Sequence, residues 1–188
     1  MRALSAALAA CLFAAGPARA AGEVDVAVGP GVATSGGDDW SGDGAIPSAA
    51  LRLAYRFPVG LAPVFVGREG YAQVDQRLLT LVSLGVQGWL DLDGVQPYAR
   101  VAWAHQHEES WAFAKEEPFG VLFGVGRGIR HRGGLDFGVG ADVPVAGSKR
   151  LRWFLFGEAW LDWLFASEAP GPAYYAGGSV GVGLDWAP

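Results

Sequence analysis

The sequence predicts an all-β chain closed into an antiparallel up-and-down transmembrane β-barrel of eight strands, with one long extracellular loop. Three observations carry that prediction. Between Leu151 and Phe165, Leu151, Trp153, Leu155, Gly157, Ala159, Leu161, Trp163 and Phe165 share one face of an extended chain, while Arg152, Glu158 and Asp162 share the other. Tyr174 to Trp186 repeats the alternation. One face is apolar along its whole length and the other carries charge and glycine, the polarity of a barrel with lipid outside and ionisable groups inside. Mean hydropathy is positive, yet no run approaches the roughly 18 apolar residues of a membrane helix. The 29 glycines and 8 tryptophans suit tight turns, a crowded interior and membrane interfaces.

The first twenty residues, MRALSAALAACLFAAGPARA, join a basic residue, a short apolar run and small residues at Ala18 and Ala20. They read as a secretory signal spanning 1–20, with 21–188 as the barrel domain. Leu8 to Cys11 also fits a lipoprotein-type signal, with Cys11 acylated. Cleavage after Ala20 removes the only cysteine, so stability has to come from burial, closure or lipid rather than disulfides. Without Arg2 and Arg19, 12 basic side chains face 19 acidic ones, a formal charge of −7 that argues against a nucleic-acid partner.

The remaining strands follow in order. Val24, Val26, Val28, Pro30 and Val32 alternate with Glu23, Asp25 and small residues, and the polar SGGDDWSGDGA closes this first strand. Ile46 to Phe57 sets Leu51, Leu53, Tyr55 and Phe57 against Arg52 and Arg56, before the tight turn Pro58-Val59-Gly60. Leu61 to Gln73 has a broken period near Gly67, which predicts a bulge, with Arg68 inward. Leu78 to Leu92 points Val82, Leu84, Val86 and Leu90 outward and Ser83, Gln87, Trp89 and Asp91 inward, and Asp93-Gly94 is a hairpin turn. Val95 to about His107 puts Tyr98 and Arg100 opposite Val101 and Trp103. Leu135 to Val143 alternates with Asp136 and Asp142, and Val145 to Lys149 turns the chain into the last two strands. Between them, Glu108 to Arg132 reads as one long outer loop holding a short apolar helix, because bacterial barrels have even strand numbers. Ten strands is the alternative, since FGVLFGVGR also alternates.

Signal, eight alternating segments, aromatic-flanked apolar faces and a glycine-rich last strand together resemble the small eight-stranded outer-membrane β-barrel proteins of Gram-negative bacteria. The resemblance covers residues 21–188 and is one of architecture, not of a diagnostic motif. It implies Sec-type export, residence in the outer membrane against lipid and lipopolysaccharide, insertion by the barrel assembly machinery, and no cofactor.

Several residues invite a chemical reading. Asp25, Arg52, Arg56, Arg68, Asp91, Arg100, Asp136, Asp142, Arg152, Glu158, Asp162 and Asp185 form an inward set. An eight-stranded interior is just wide enough for side chains to fill, so these predict a paired ionic plug, with a small gated pore as the alternative. His105, His107 and His131 all fall at the outer end, either facing headgroups or forming a zinc-type set with Glu108 or Glu109. His107, Ser110 and Glu116 or Glu117 supply the residue types of a lipid A acylhydrolase, at a spacing that matches no motif. GVGRGIRHRGG lacks the strand and long helix that a phosphate loop needs. Its Arg127, Arg130 and Arg132 read as a patch toward lipopolysaccharide or as partners for the nearby glutamates. The expected role is structural or adhesive at the surface, with the lipid A hydrolase and a soluble ligand-binding barrel as alternatives.

Overall fold

A computed structural model describes residues 22–37, 42–126, 128–165 and 171–188. Both signal readings, on residues 1–20, lie outside the described residues, as does Arg127.

Eight strands, β1 (Glu23–Gly36), β2 (Ile46–Arg56), β3 (Leu61–Ala72), β4 (Arg77–Trp89), β5 (Gln96–Ser110), β6 (Arg130–Gly147), β7 (Leu151–Leu164) and β8 (Tyr174–Trp186), form one closed antiparallel barrel in sequence order. Two short helices, α1 (Trp111–Glu116) and α2 (Pro118–Phe123), stand between β5 and β6. The seam is made by β1 and β8, with Val24 opposite Trp186 and Gly36 opposite Tyr174. Closure pairs every strand on both sides, so no edge is left to recruit another chain. At one end the connections are tight: Gly60 and Gly94 take φ of +78° and +79°, and the Leu92 and Val95 backbones bridge. At the other end lie the two helices, the short turn 73–76, the end of β1 at Gly36 and the start of β8 at Tyr174.

Alternation along each strand decides what faces where. Val28, Val32, Leu84, Val86, Val101, Trp103, Val139, Leu155, Trp163, Val180 and Val182 point outward and are exposed. Asp25, Arg52, Arg56, Arg68, Arg100, Asp136, Asp142, Asp162 and Asp185 are buried inside. A water-soluble protein buries its apolar groups and exposes its charges; this barrel does the reverse.

The chain has the expected eight strands, and the ten-strand alternative falls. Three expectations need correction. β3 carries no bulge: its pairing with β4 runs without a break from Leu61 opposite Gly88 to Ala72 opposite Arg77. The apparent break arises because Val64 and Val66 point into the lumen, where they pack with Ala54, Ala62, Trp89 and Tyr98, so both faces of β3 are apolar before Gly67. The strands also outrun their apolar stripes, since β5 continues to Ser110 and β6 begins at Arg130, which shortens the expected loop 108–132 to 111–129. Finally, the interior is not purely ionic. Phe154, Phe156, Trp160, Leu164 and Tyr175 are buried on the same face as Arg152, Glu158 and Asp162 or their neighbours on β8.

Candidate functional site

The lumen is crossed by ion pairs between opposite walls. In an eight-stranded ring β2 faces β6 and β3 faces β7, and arginine is long enough to span that diameter. Arg52 on β2 holds Asp25 on the neighbouring strand through Nε and Nη2 at 3.0 and 3.1 Å, and reaches Asp142 on β6 at 2.8 Å. Arg68 on β3 donates to Asp162 on β7 and to Asp136 on β6, each at 2.8 Å. Arg100 bonds Asp136 at 3.0 Å and Glu158 at 2.6 and 2.9 Å. Planar guanidinium forks suit such two-carboxylate contacts better than lysine would.

The neutral side chains complete the network. Trp89 donates its indole N–H to Asp142 at 2.9 Å, Ser83 its hydroxyl to Asp136 at 2.9 Å, and Tyr98 its phenol to Glu158 at 3.0 Å. The guanidiniums of Arg56 and Arg68 lie 4.2 and 4.1 Å from the ring centres of Trp89 and Trp160, and that of Arg52 lies 4.7 Å from Tyr98. Cation–aromatic contact of this kind is strongest where water is excluded. Arg56 also donates to Gln96 at 2.9 Å. At the tight-turn end Arg152 bonds Asp185 through Nε at 3.1 Å and approaches Glu23 at 3.5 Å. Asp91 departs from the expected set, because β4 ends at Trp89 and leaves it exposed in the turn, touched by the Gln96 amide at 3.4 Å. A cavity of about 30 Å³ beside Arg68, Trp160, Asp162 and Tyr175 is water-sized.

At the loop end a second network centres on Glu108, which is buried. Arg77 donates to it at 2.7 Å, and Arg130 and Arg132 lie 3.5 and 3.8 Å away. Arg77 also reaches Asp43 at 2.7 Å, and Ser35 donates to Asp43 at 2.6 Å. Arg132 is buried and donates to the carbonyls of Pro172 and Phe165. Arg130 and Arg132 therefore serve the glutamate and the backbone rather than an open basic patch.

The three histidines meet on the outer wall. Alternation from Val101 and Trp103 places His105 and His107 outward, and register sets His131 opposite His107. His105 Nε2 lies 3.2 Å from His131 Nδ1, and one ring nitrogen of each of the three lies within 4.8 Å of the others. His107 is buried and His131 exposed. The row continues sideways: Thr80 is opposite His107, and Glu69 is opposite Thr80. The Thr80 hydroxyl lies 2.9 Å from Glu69 Oε2 and 3.5 Å from Glu109 Oε1. Glu69 and Thr80 are members of this polar group that the sequence does not reveal, because which residues stand opposite each other is set by register. Ser110 is not near a nucleophile's place. It caps α1, accepting the Phe113 N–H at 3.3 Å, and strand alternation points it away from the His107 face.

No family model matches the chain, and no curated protein matches it in sequence. Among solved structures the barrel is similar to neisserial surface protein A, with a TM-score of 0.55 at 12% identity over 88% of this chain and 96% of that one. It is also similar to Ail, the attachment invasion locus protein of Yersinia pestis, with a TM-score of 0.54 at 13% identity over 88% of this chain and 99% of that one. A structure of Ail in complex with the heparin analogue sucrose octasulfate gives 0.53 at 14% identity over the same shares. The chain shares the closed eight-stranded fold of these small outer-membrane barrels.

Proposed function

We propose that the chain is an integral outer-membrane protein whose barrel is a sealed stave wall and whose loop end makes contacts at the cell surface. The observation that carries this reading is the inversion of polarity: exposed valine, leucine and tryptophan stripes on all sides, around arginines and aspartates paired across the diameter. Such stripes are stable only in hydrocarbon, and such charges only where each has a partner. Export by a Sec-type signal, contact with lipopolysaccharide and insertion by the assembly machinery belong to the same reading.

The surface role is structural or adhesive, and the charge of the loop end narrows it. In sequence, segments 37–45, 111–129 and 165–173 carry Asp38, Asp39, Glu116, Glu117 and Glu168 against Lys115 and Arg127, while Asp43 and Asp75 pair with Arg77. The nearby Arg77 and Arg132 are occupied by Glu108, Asp43 and backbone carbonyls. An acidic excess in these connecting sequences favours cationic partners and repels a sulfated polyanion, so the ligand of the Ail complex is not carried over.

Expression of the full chain in a Gram-negative host tests the location. The protein is expected in the outer-membrane fraction, retained through a carbonate wash and released by detergent. Release by carbonate or salt alone would instead indicate a soluble barrel.

A further inference from the structure

We propose that His105, His107 and His131 bind a divalent transition-metal ion, with zinc as its simplest representative, on the outer wall of the barrel just beyond the aromatic girdle. Only three histidines occur in the chain, and the fold gathers all of them into one group although they come from two strands. Their contacts are ring to ring, with centroids 4.7, 4.8 and 5.4 Å apart. On their membrane side the outward residues, such as Trp103, are apolar.

The geometry matches the chemistry. Two imidazole nitrogens on one tetrahedral zinc, each about 2.0–2.1 Å from it, sit roughly 3.3 Å apart. His105 Nε2 and His131 Nδ1 are already 3.2 Å apart. The third imidazole, His107, lies within 4.8 Å of the other two and has to move closer to complete the set. Position 133, which pairs with His105, is glycine, so no side chain stands between the strands at that level.

Depth and shelter also fit. One step toward the membrane middle, Trp103 and Phe165 meet edge to face at 5.3 Å, the mark of an interfacial belt; the histidines lie on its outer side, within reach of aqueous ions. Behind them the segment following α2 folds onto the wall. Gly124, at φ +64°, lies so close that a Cβ there would fall 2.1 Å from His107 Cε1. His107 is thus covered by protein while His131 stays exposed, which leaves one open side for water or a lipid phosphate as an exchangeable fourth ligand. Glu69 and Glu109, gathered by Thr80 in the adjacent register position, put carboxyl oxygens on the same side of the wall.

The test uses the chain refolded in detergent without a polyhistidine tag. Titration with Co²⁺ is expected to saturate at one ion per chain, with visible ligand-field absorption that Zn²⁺ abolishes by displacement. Competition against a chromophoric chelator then gives the zinc affinity. His131→Ala, at an exposed side chain, and His105→Gln are each expected to weaken it by more than the 10- to 100-fold that loss of an outer-shell partner costs. Glu116→Gln, on α1, is expected to leave it unchanged. Heat-modifiable migration on a gel confirms that each variant is folded. Absence of ligand-field bands in the folded wild type, or an affinity that survives both histidine changes, would overturn the proposal.

Discussion

Replacing Arg68 by methionine tests the sealed lumen directly. Arg68 is 5% exposed, bonds Asp162 and Asp136 at 2.8 Å and stacks on Trp160. Methionine keeps most of the stem and the aromatic contact but removes the cation. Asp136 keeps Arg100 and Ser83, and Glu158 keeps Arg100 and Tyr98, so the orphan is Asp162. Removing one partner of a buried pair leaves an uncompensated charge and costs about 3–5 kcal/mol, while removing both is close to neutral. The single variant should therefore lose about 3–5 kcal/mol, and Arg68→Met with Asp162→Asn should recover most of that loss. Urea unfolding of the barrel refolded into lipid vesicles, followed by tryptophan fluorescence, measures both. A single-variant cost below about 1 kcal/mol would mean that the charges are solvated as in an open pore. A double variant no better than the single would mean that Asp162 is not the orphan.

The remaining predictions concern the wall, the seam and conduction. Leu155→Arg, on an exposed outward position within the apolar belt, should cost about 2–4 kcal/mol in the same assay, and a change near zero would mean the faces are reversed. Gly181→Ala should destabilise the β1–β8 seam by about 1–3 kcal/mol, because the new Cβ would fall 2.2 Å from the Val28 carbonyl oxygen; unchanged stability would show that the seam is looser than drawn. In planar bilayers the wild type should give no steady conductance, since Arg52 and Arg68 bridge opposite walls, and a reproducible unitary current would contradict the sealed lumen.

Much of the architecture was legible because one period governs it. On β7 and β8 the outward residues are apolar without exception and the charges fall on the other face, so both orientation and pairing follow from alternation. On β3 the same rule blurs, since Val64 and Val66 fill the lumen and nothing in a one-dimensional pattern distinguishes apolar groups facing lipid from those facing aromatic neighbours. The strand ends were also hidden. Thr34 to Gly36, His107 to Ser110 and Arg130 to Gly134 are polar or glycine-rich, as loops are, yet they pair because the barrel wall continues beyond its apolar belt. The candidate sites divide along the same line. The inward ionisable residues could be named from parity, but which arginine meets which aspartate across the ring depends on strand stagger. Likewise the histidines could be placed at the outer end, whereas the adjacency of Glu69 and Thr80 to His107 comes from two registers that no local pattern encodes.

Which face meets hydrocarbon is most directly measured with a nitroxide at position 155. The chain from residue 21 onward has no cysteine, so Leu155→Cys provides a unique attachment point in the barrel refolded into vesicles. Collisions with dissolved oxygen, which concentrates in the bilayer interior, should far outnumber those with a water-soluble nickel complex, while a label at Thr34 near the loop end should show more of the nickel complex. Equal nickel accessibility at 155 and 34 would place the valine, leucine and tryptophan stripes outside the membrane and remove the basis of the account.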